Sequence, residues 1–141
     1  MRYEVTVEID ADPSTVWAAL TDVERWPEWT RSMTAVQRLE DGPFGLGSTA
    51  SVQQPRLTKT VYTVTEFEAG RSFAWAAGAV GVRTVAAHYL VPRGEDGTDV
   101  RLVVNQTGLL TPFVRLLAGQ LILRYLMMEA EGLKSRSEGG I

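Results

Sequence analysis

A long apolar segment near the C-terminus, Leu109 to Arg136, constrains the fold more than any other part of the chain. It reads LLTPFVRLLAGQLILRYLMMEAEGLKSR. After Pro112 the segment has no further proline, and Gly119 is its single glycine up to residue 128. We predict one long helix with Thr111 as N-cap and Pro112 at the first helical position, where a missing N–H leaves no hydrogen bond unmade.

At helical spacing this segment carries two apolar stripes, separated by a line of polar side chains. The first stripe consists of Val114, Leu117, Leu121, Tyr125 and Met128, and the second of Leu116, Leu123, Met127 and Ala130. The polar line consists of Gln120, Arg124 and Glu131. A helix that is apolar on two sides needs cover on both, so we expect it to be the central packing element. A membrane span is disfavoured because Arg115, Gln120 and Arg124 interrupt a run that barely reaches spanning length.

Composition excludes several function classes. A chain of 141 residues suits one domain, 1–141. A net charge of −3 argues against a nucleic-acid partner, and zero cysteines exclude disulfides and thiolate chemistry. With His88 as the single histidine and no ligand-spaced carboxylate cluster, we expect no metal and no cofactor. The N-terminus MRYEVTVEID has no apolar signal-peptide core, so a cytoplasmic location is expected.

The remaining chain predicts one strand, two short helices and six further strands. Apolar residues alternate from Arg2 to Asp10, as in a half-buried strand. Asp12-Pro13 opens a short helix, and a second runs from Thr21 to about Arg25 before Pro27 stops it. The six further strands are Met33–Glu40, Ser48–Gln54, Thr58–Glu68, Ser72–Ala77, Val82–Val91 and Thr98–Thr107. We therefore predict an α+β fold in which a curved, seven-stranded antiparallel sheet wraps around the long C-terminal helix, with a cavity where the two do not meet.

Several short motifs resemble a known family. They are DPSTVW at 12–17, WPEW at 26–29, Gly97-Thr98 before the last strand and Gly108 before the long helix. This pattern is similar to the START-like (SRPBCC) helix-grip superfamily, and most to its polyketide cyclase/dehydrase and lipid-transport branch. The resemblance implies an elongated apolar cavity that holds polyketides, lipids, steroids or other hydrophobic molecules. Cyclases of this group use arginine, histidine, tyrosine or tryptophan side chains in that cavity.

Two residues are candidates for catalysis. His88 shares one strand face with Thr84 and Ala86, where an imidazole suits a general base or a donor to a carbonyl. The alternative is a histidine that only makes structural hydrogen bonds. Arg124 lies between the apolar stripes and, if it points into the cavity, suits a forked contact with a carboxylate or enolate. The alternative is a solvated arginine.

We predict that the ligand-binding side chains are aromatic, amide and aliphatic residues on the inner face of the sheet, at the corner after the short helices and on the long helix. They are Trp26, Trp29, Tyr62, Trp75, Tyr89, Gln106, Phe113, Leu117, Gln120, Leu121, Tyr125 and Met128. The glycine-rich segment 42–47, GPFGLG, leads into a strand and lacks a P-loop lysine, so we interpret it as a lid and not as a phosphate cradle.

Three functions are compatible with these features. The first is binding of a hydrophobic small molecule in the internal cavity. The second is a cyclase, aromatase or dehydratase reaction in that cavity, centred on His88 or Arg124. The third is docking on a protein or membrane through the second apolar stripe. For that stripe we predict a homodimer, because the acidic net charge argues against an anionic membrane surface.

Overall fold

The computed structural model describes residues 1–139, and within them the predicted elements occur in the predicted order. One strand is followed by two short helical elements, six further strands and one long helix. In chain order they are β1 Arg2–Ile9, α1 Pro13–Thr21, a 3₁₀ helix Val23–Glu28, β2 Ala35–Arg38, β3 Thr49–Gln53, β4 Thr60–Glu68, β5 Ser72–Ala79, β6 Val82–Arg93, β7 Gly97–Thr107 and α2 Thr111–Ser137.

All seven strands form one antiparallel sheet in the order β1-β7-β6-β5-β4-β3-β2. Strands β2 to β7 form a meander, and all eight residues of β1 pair with β7. At the centre, Ala86 of β6 lies opposite Trp75 of β5 and Val104 of β7. A bulge between Val64 and Glu66 breaks the β4–β5 register, which adds to the bending of the sheet. The predicted α+β helix-grip architecture is therefore confirmed.

The first short helical element begins as predicted, whereas the second begins at Val23 and not at Thr21, which ends α1, and it runs past Pro27 to Glu28. Asp12 caps α1, because its Oδ1 accepts a hydrogen bond from the Thr15 N–H at 3.0 Å, and Pro13 is the first helical residue. The second element includes Pro27, so the expected stop before that proline is wrong. The element is a short 3₁₀ helix, so the proline removes a single backbone hydrogen bond. Trp26 holds the element in place, because its indole N–H donates a hydrogen bond to the Leu20 carbonyl at 2.9 Å.

The start of α2 is fixed by the β5–β6 hairpin and not by a side-chain cap. Leu110, one residue before the predicted N-cap Thr111, is the N-cap, and no side chain caps the helix. The Leu110 N–H donates instead to the Gly81 carbonyl at 2.9 Å. Gly108 allows this approach, since its φ is +120° and a Cβ there would lie 2.2 Å from the Gly81 oxygen.

The solid core lies at one end of the molecule. Helix α1, the 3₁₀ helix and the second half of α2 pack there against the sheet. The fully buried apolar side chains include Ile9, Val16, Leu20, Val23, Trp26, Phe73, Val100, Leu102 and Leu133. At Gly132, helix α2 lies very close to the end of the 3₁₀ helix, because a Cβ at this position would lie 1.9 Å from the Trp29 carbonyl oxygen.

The first half of α2 packs differently. From Pro112 to Arg124 no side chain is fully buried. The inward stripe of the helix is Val114, Ala118, Ile122, Tyr125, Glu129 and Leu133. It is therefore rotated from the first predicted stripe, which placed Leu121 and Met128 inside. Ala130 of the second predicted stripe is buried in the core, whereas Leu116, Leu123 and Met127 are exposed.

Candidate functional site

A cavity of about 540 Å³ lies between the sheet and the first half of α2. Its walls come from β3 to β7, from the β3–β4 and β5–β6 connections and from α2. The lining includes Trp26 of the 3₁₀ helix, Tyr62, Trp75, Ala77, Thr84, Ala86, His88, Gln106, Phe113, Leu117, Ala118, Tyr125 and Glu129. This volume is within the usual range for a small-molecule site, and most of the lining is apolar.

Small side chains on the sheet explain why the space stays open. Residues 77–79 at the end of β5 are Ala-Gly-Ala, and they line the cavity beside Thr84 and Ala86 of β6. On the helix side Ala118 faces the same space. Because none of these side chains reaches across, the sheet and helix enclose a void instead of an interdigitated core.

At the inner end of the cavity, His88 and Glu129 face each other. The imidazole Nε2 lies 3.3 Å from the Glu129 Oε1, and both side chains are at least 90% buried. The contact lacks hydrogen-bond geometry, so Oε1 has no hydrogen-bond partner among the described residues. On its other side the His88 Nδ1 lies 3.2 Å from the Phe73 carbonyl oxygen. A carbonyl oxygen only accepts, so Nδ1 carries the proton and Nε2 faces Glu129.

Aromatic rings hold the His88 imidazole in place beside Glu129. The imidazole stacks on Phe73 with 4.3 Å between ring centroids and is flanked by Trp26 at 5.6 Å. An imidazole and a carboxyl group that are positioned side by side at the wall of a cavity are suited to proton transfer with a bound molecule.

Three further polar side chains border the cavity. Burial, reinforced by the negative charge of Glu129, raises the pKa of the half-buried Tyr62 to about 12, which keeps its phenol protonated. The buried Gln106 donates to the Thr84 hydroxyl at 3.3 Å, and its Oε1 has no partner within residues 1–139. The Tyr125 hydroxyl donates to the Pro55 carbonyl at 2.6 Å, which ties α2 to the β3–β4 connection.

The sequence also matches a family model, described as polyketide cyclase / dehydrase and lipid transport, over residues 1–138. The chain belongs to this family. This match confirms the resemblance noted from the DPSTVW and WPEW motifs. A search of curated proteins finds no match.

Solved structures share the fold of this polyketide cyclase/dehydrase family member at low sequence identity. A hypothetical protein from Helicobacter pylori, jhp0584, is 15% identical with a TM-score of 0.84, covering 97% of this chain and 88% of that one. The Zhui aromatase/cyclase from Streptomyces sp. R1128 is 16% identical with a TM-score of 0.81, covering 100% and 99%. A START superfamily protein from Mycobacterium smegmatis is 19% identical with a TM-score of 0.73, covering 96% and 97%.

The structure brings many of the predicted site residues of this family member together at the cavity. Those that line it are Trp26, Tyr62, Trp75, His88, Gln106, Phe113, Leu117 and Tyr125. The others lie elsewhere. Tyr89 follows His88 and is on the outer face of the sheet, where Arg101 lies 4.7 Å above its ring.

The remaining predicted residues border two grooves on the outer side of α2. Trp29, Gln120, Arg124 and Met128 line an open groove beside the 3₁₀ helix, and Leu121 lines a second groove beside β7. Arg124 is exposed and therefore does not reach a molecule in the cavity. The segment 42–47, interpreted as a lid, is held in place by Phe44, whose ring packs edge-on against Phe73 at 5.2 Å.

Sequence reasoning missed Glu129, although a signal for it exists. The inward stripe of α2 recurs at steps of three and four residues, and Glu129 is four residues after Tyr125 and four before Leu133. An acidic residue inside an apolar stripe is unusual, because a buried carboxyl needs a partner. The first predicted stripe ended at Met128, which placed the acid just outside it.

Two general observations apply to the described residues. Residues 1–139 contain no group of three or more histidine, cysteine, aspartate or glutamate side chains that could hold a metal ion. No helix in the same range is long and apolar enough to cross a membrane.

Proposed function

We propose that this protein binds a hydrophobic small molecule in the cavity between the sheet and α2. The observation that supports this most is the cavity itself, about 540 Å³ and largely apolar, with polar groups confined to a few positions. Such a lining binds the body of a ligand by burial of apolar surface and orients it through its few polar groups. The family description, which includes lipid transport, agrees with this proposal.

The charges around the cavity favour a neutral ligand. Among the described lining residues there is no lysine or arginine, and the ionisable side chains are Tyr62, His88, Tyr125 and Glu129. A carboxylate ligand would meet the acidic Glu129 without a permanent cation to balance it. A ligand with an O–H or N–H group pointing at Glu129 would supply the donor that its Oε1 lacks.

A fluorescent probe tests the binding proposal. N-phenyl-1-naphthylamine is neutral and apolar, carries one N–H group and becomes brighter in apolar surroundings. We expect saturable binding to the wild type, and a loss of at least tenfold in affinity for Ala86→Phe, which fills the centre of the cavity. Ala35→Phe is the matched control, because Ala35 is an exposed residue on β2. Absence of saturable binding, or equal binding by both variants, would contradict the proposal. Native mass spectrometry of the purified protein then identifies any molecule that copurifies.

A second candidate function is acid–base catalysis in the same cavity, and the His88–Glu129 pair is the observation that favours it. An imidazole beside a carboxyl group can accept a proton from a bound carbonyl compound and return it at a second atom, as enolisation or dehydration requires. An aromatase/cyclase is among the proteins of the same fold. For a substrate found by mass spectrometry, His88→Gln is expected to lower turnover by roughly 10²–10⁴-fold while probe affinity stays within a few fold. Unchanged turnover would remove His88 from the mechanism.

A homodimer is a separate proposal, for the groove that Leu123 and Met127 share with Trp29. Both side chains are exposed there, whereas Leu116 of the same predicted stripe borders the groove beside β7 and the buried Ala130 is no part of this surface. Sedimentation equilibrium of the wild type and Leu123→Glu tests it. A wild type that stays monomeric at micromolar concentrations, or a variant that dimerises equally well, would contradict it.

A further inference from the structure

Charge is distributed unevenly along the chain despite its net value of −3. The segments 42–65, 69–94 and 100–128 contain no aspartate or glutamate. These segments supply the β3–β4 connection, the β5–β6 hairpin and the first half of α2. In the antiparallel sheet all three meet at one end of the molecule, where they line the cavity.

Four basic side chains occupy this end and are exposed. Arg56 and Lys59 lie on the β3–β4 connection, Arg83 at the start of β6 and Arg115 in the first turns of α2. None of them forms an ion pair with any residue of the described range 1–139. Acidic residues such as Asp10, Glu68 and Asp96 lie at the opposite end of the strands.

The same end carries a cluster of exposed aliphatic and aromatic side chains, which we call the apolar rim. Its members are Val80, Leu109, Leu110, Phe113, Leu116 and Leu117. Val80 and Leu109 are each 92% exposed and Leu116 is 82% exposed. Val80, Phe113 and Leu117 also line the cavity, so the cavity opens through the rim. A contiguous apolar surface of this kind marks an interaction site.

We propose that the apolar rim docks on an anionic lipid bilayer. The rim side chains enter the headgroup region, the four basic side chains contact lipid phosphates, and the cavity mouth faces the acyl chains. This deepens the proposed function, because it gives a hydrophobic ligand a route that avoids water. The net negative charge does not oppose it, since charges at the far end of the strands are screened beyond about 8 Å at physiological salt.

The composition of the rim favours a lipid over a protein partner. Protein interfaces concentrate their binding energy in tryptophan, tyrosine and arginine anchors, and leucine and valine are under-represented there. Five of the six rim residues are leucine or valine, and no rim residue is tyrosine or tryptophan. Leucine and phenylalanine beside lysine and arginine are typical of surfaces that lie in a membrane interface.

Cosedimentation with vesicles tests the docking. We expect the full chain to pellet with vesicles of phosphatidylcholine and phosphatidylglycerol in equal parts, to stay in solution with phosphatidylcholine alone, and to dissociate as salt is raised. Each unit of charge near an anionic surface contributes about fivefold to binding. Lys59→Glu changes the charge by about two units and is therefore expected to weaken binding by roughly thirtyfold. Leu109→Glu and Leu116→Glu are expected to weaken it by roughly tenfold to hundredfold, because each loses a buried leucine. Neither leucine lines the cavity.

Arg71→Glu and Leu46→Glu are the matched controls, because both residues are exposed and lie away from the rim. Both are expected to pellet like the wild type. A wild type that stays in solution with the mixed vesicles, or controls that lose binding as the rim variants do, would overturn the proposal. So would a dimer without vesicles that Leu116→Glu dissociates, because a second copy would then cover the rim.

The probe titration separates this proposal from the proposed function. The rim variants Leu109→Glu and Leu116→Glu are expected to bind N-phenyl-1-naphthylamine like the wild type. Probe binding without vesicle binding would overturn the docking alone. Vesicle binding without probe binding would overturn only the proposal that the cavity binds a hydrophobic small molecule.

Discussion

Replacing Glu129 by glutamine is expected to stabilise the protein. The carboxyl group is more than 90% buried, and its Oε1 lies 3.3 Å from the His88 Nε2 without a hydrogen bond. A buried polar group without a partner costs about 1–3 kcal/mol. In Glu129→Gln the side-chain amide can donate to Nε2, because the proton of a neutral His88 is held on Nδ1 by the Phe73 carbonyl. The substitution also removes an acidic group that burial disfavours in its charged form.

We expect the free energy of unfolding to rise by about 1–2 kcal/mol, which for a chain of this length raises Tm by about 3–8 °C. Thermal and urea unfolding monitored by circular dichroism measure both quantities. Glu131→Gln is the control, since Glu131 is exposed on the same helix and its substitution is expected to change stability by less than about 0.5 kcal/mol. A fall in Tm for Glu129→Gln would refute this reasoning, because it would show an imidazolium–carboxylate pair whose loss leaves a buried charge unpaired.

Two further predictions concern close packing and pH. Gly132→Ala is expected to destabilise the protein by about 1–3 kcal/mol in urea unfolding, since the new Cβ would lie 1.9 Å from the Trp29 carbonyl oxygen. In Gly119→Ala, in the same helix, the nearest neighbours of the new Cβ are side-chain atoms of Tyr3 and Arg115, the closest being the Tyr3 hydroxyl oxygen at 3.1 Å, so this variant is expected to be neutral or stabilising. Equal losses in both variants would contradict the packing argument. For Tyr62, the pKa of about 12 against an ordinary 10 means that the unfolded phenol ionises first, so stability is expected to fall as pH rises from 10 to 12. Tyr62→Phe is expected to reduce that fall, and an unchanged pH profile would show that Tyr62 does not cause it.

Strand alternation and helix signals were sufficient to predict the fold. The predicted face of His88, Ala86 and Thr84 on β6 is confirmed, because all three line the cavity, whereas Tyr89, which was predicted to bind the ligand, lies on the outer side. The capping signal at Asp12 is also confirmed. At the start of α2 the local signal failed, since a tertiary hydrogen bond from Leu110 to Gly81 determines where the helix begins.

The inward face of α2 could not be predicted from periodicity. From residue 113 to 123 eight of eleven residues are apolar, FVRLLAGQLIL without its arginine, glycine and glutamine. A segment that is apolar on nearly all sides has no preferred face, so its rotation is set by the well-packed residues Leu126 and Leu133 further along the helix. Periodicity alone therefore places Leu121 and Arg124 near the cavity and leaves Glu129 outside the predicted stripe.

The uneven anchoring of α2 has a consequence for hydrogen exchange. The second half is held by buried side chains such as Leu126 and Leu133, whereas residues 112–124 border a void and solvent. One continuous helix should then exchange its amide protons at two very different rates, with the first half opening locally and the second half only on global unfolding. The half that opens readily is the wall that separates the cavity from its surroundings. A molecule bound in the cavity should therefore slow exchange most in residues 112–124 and least around Leu133.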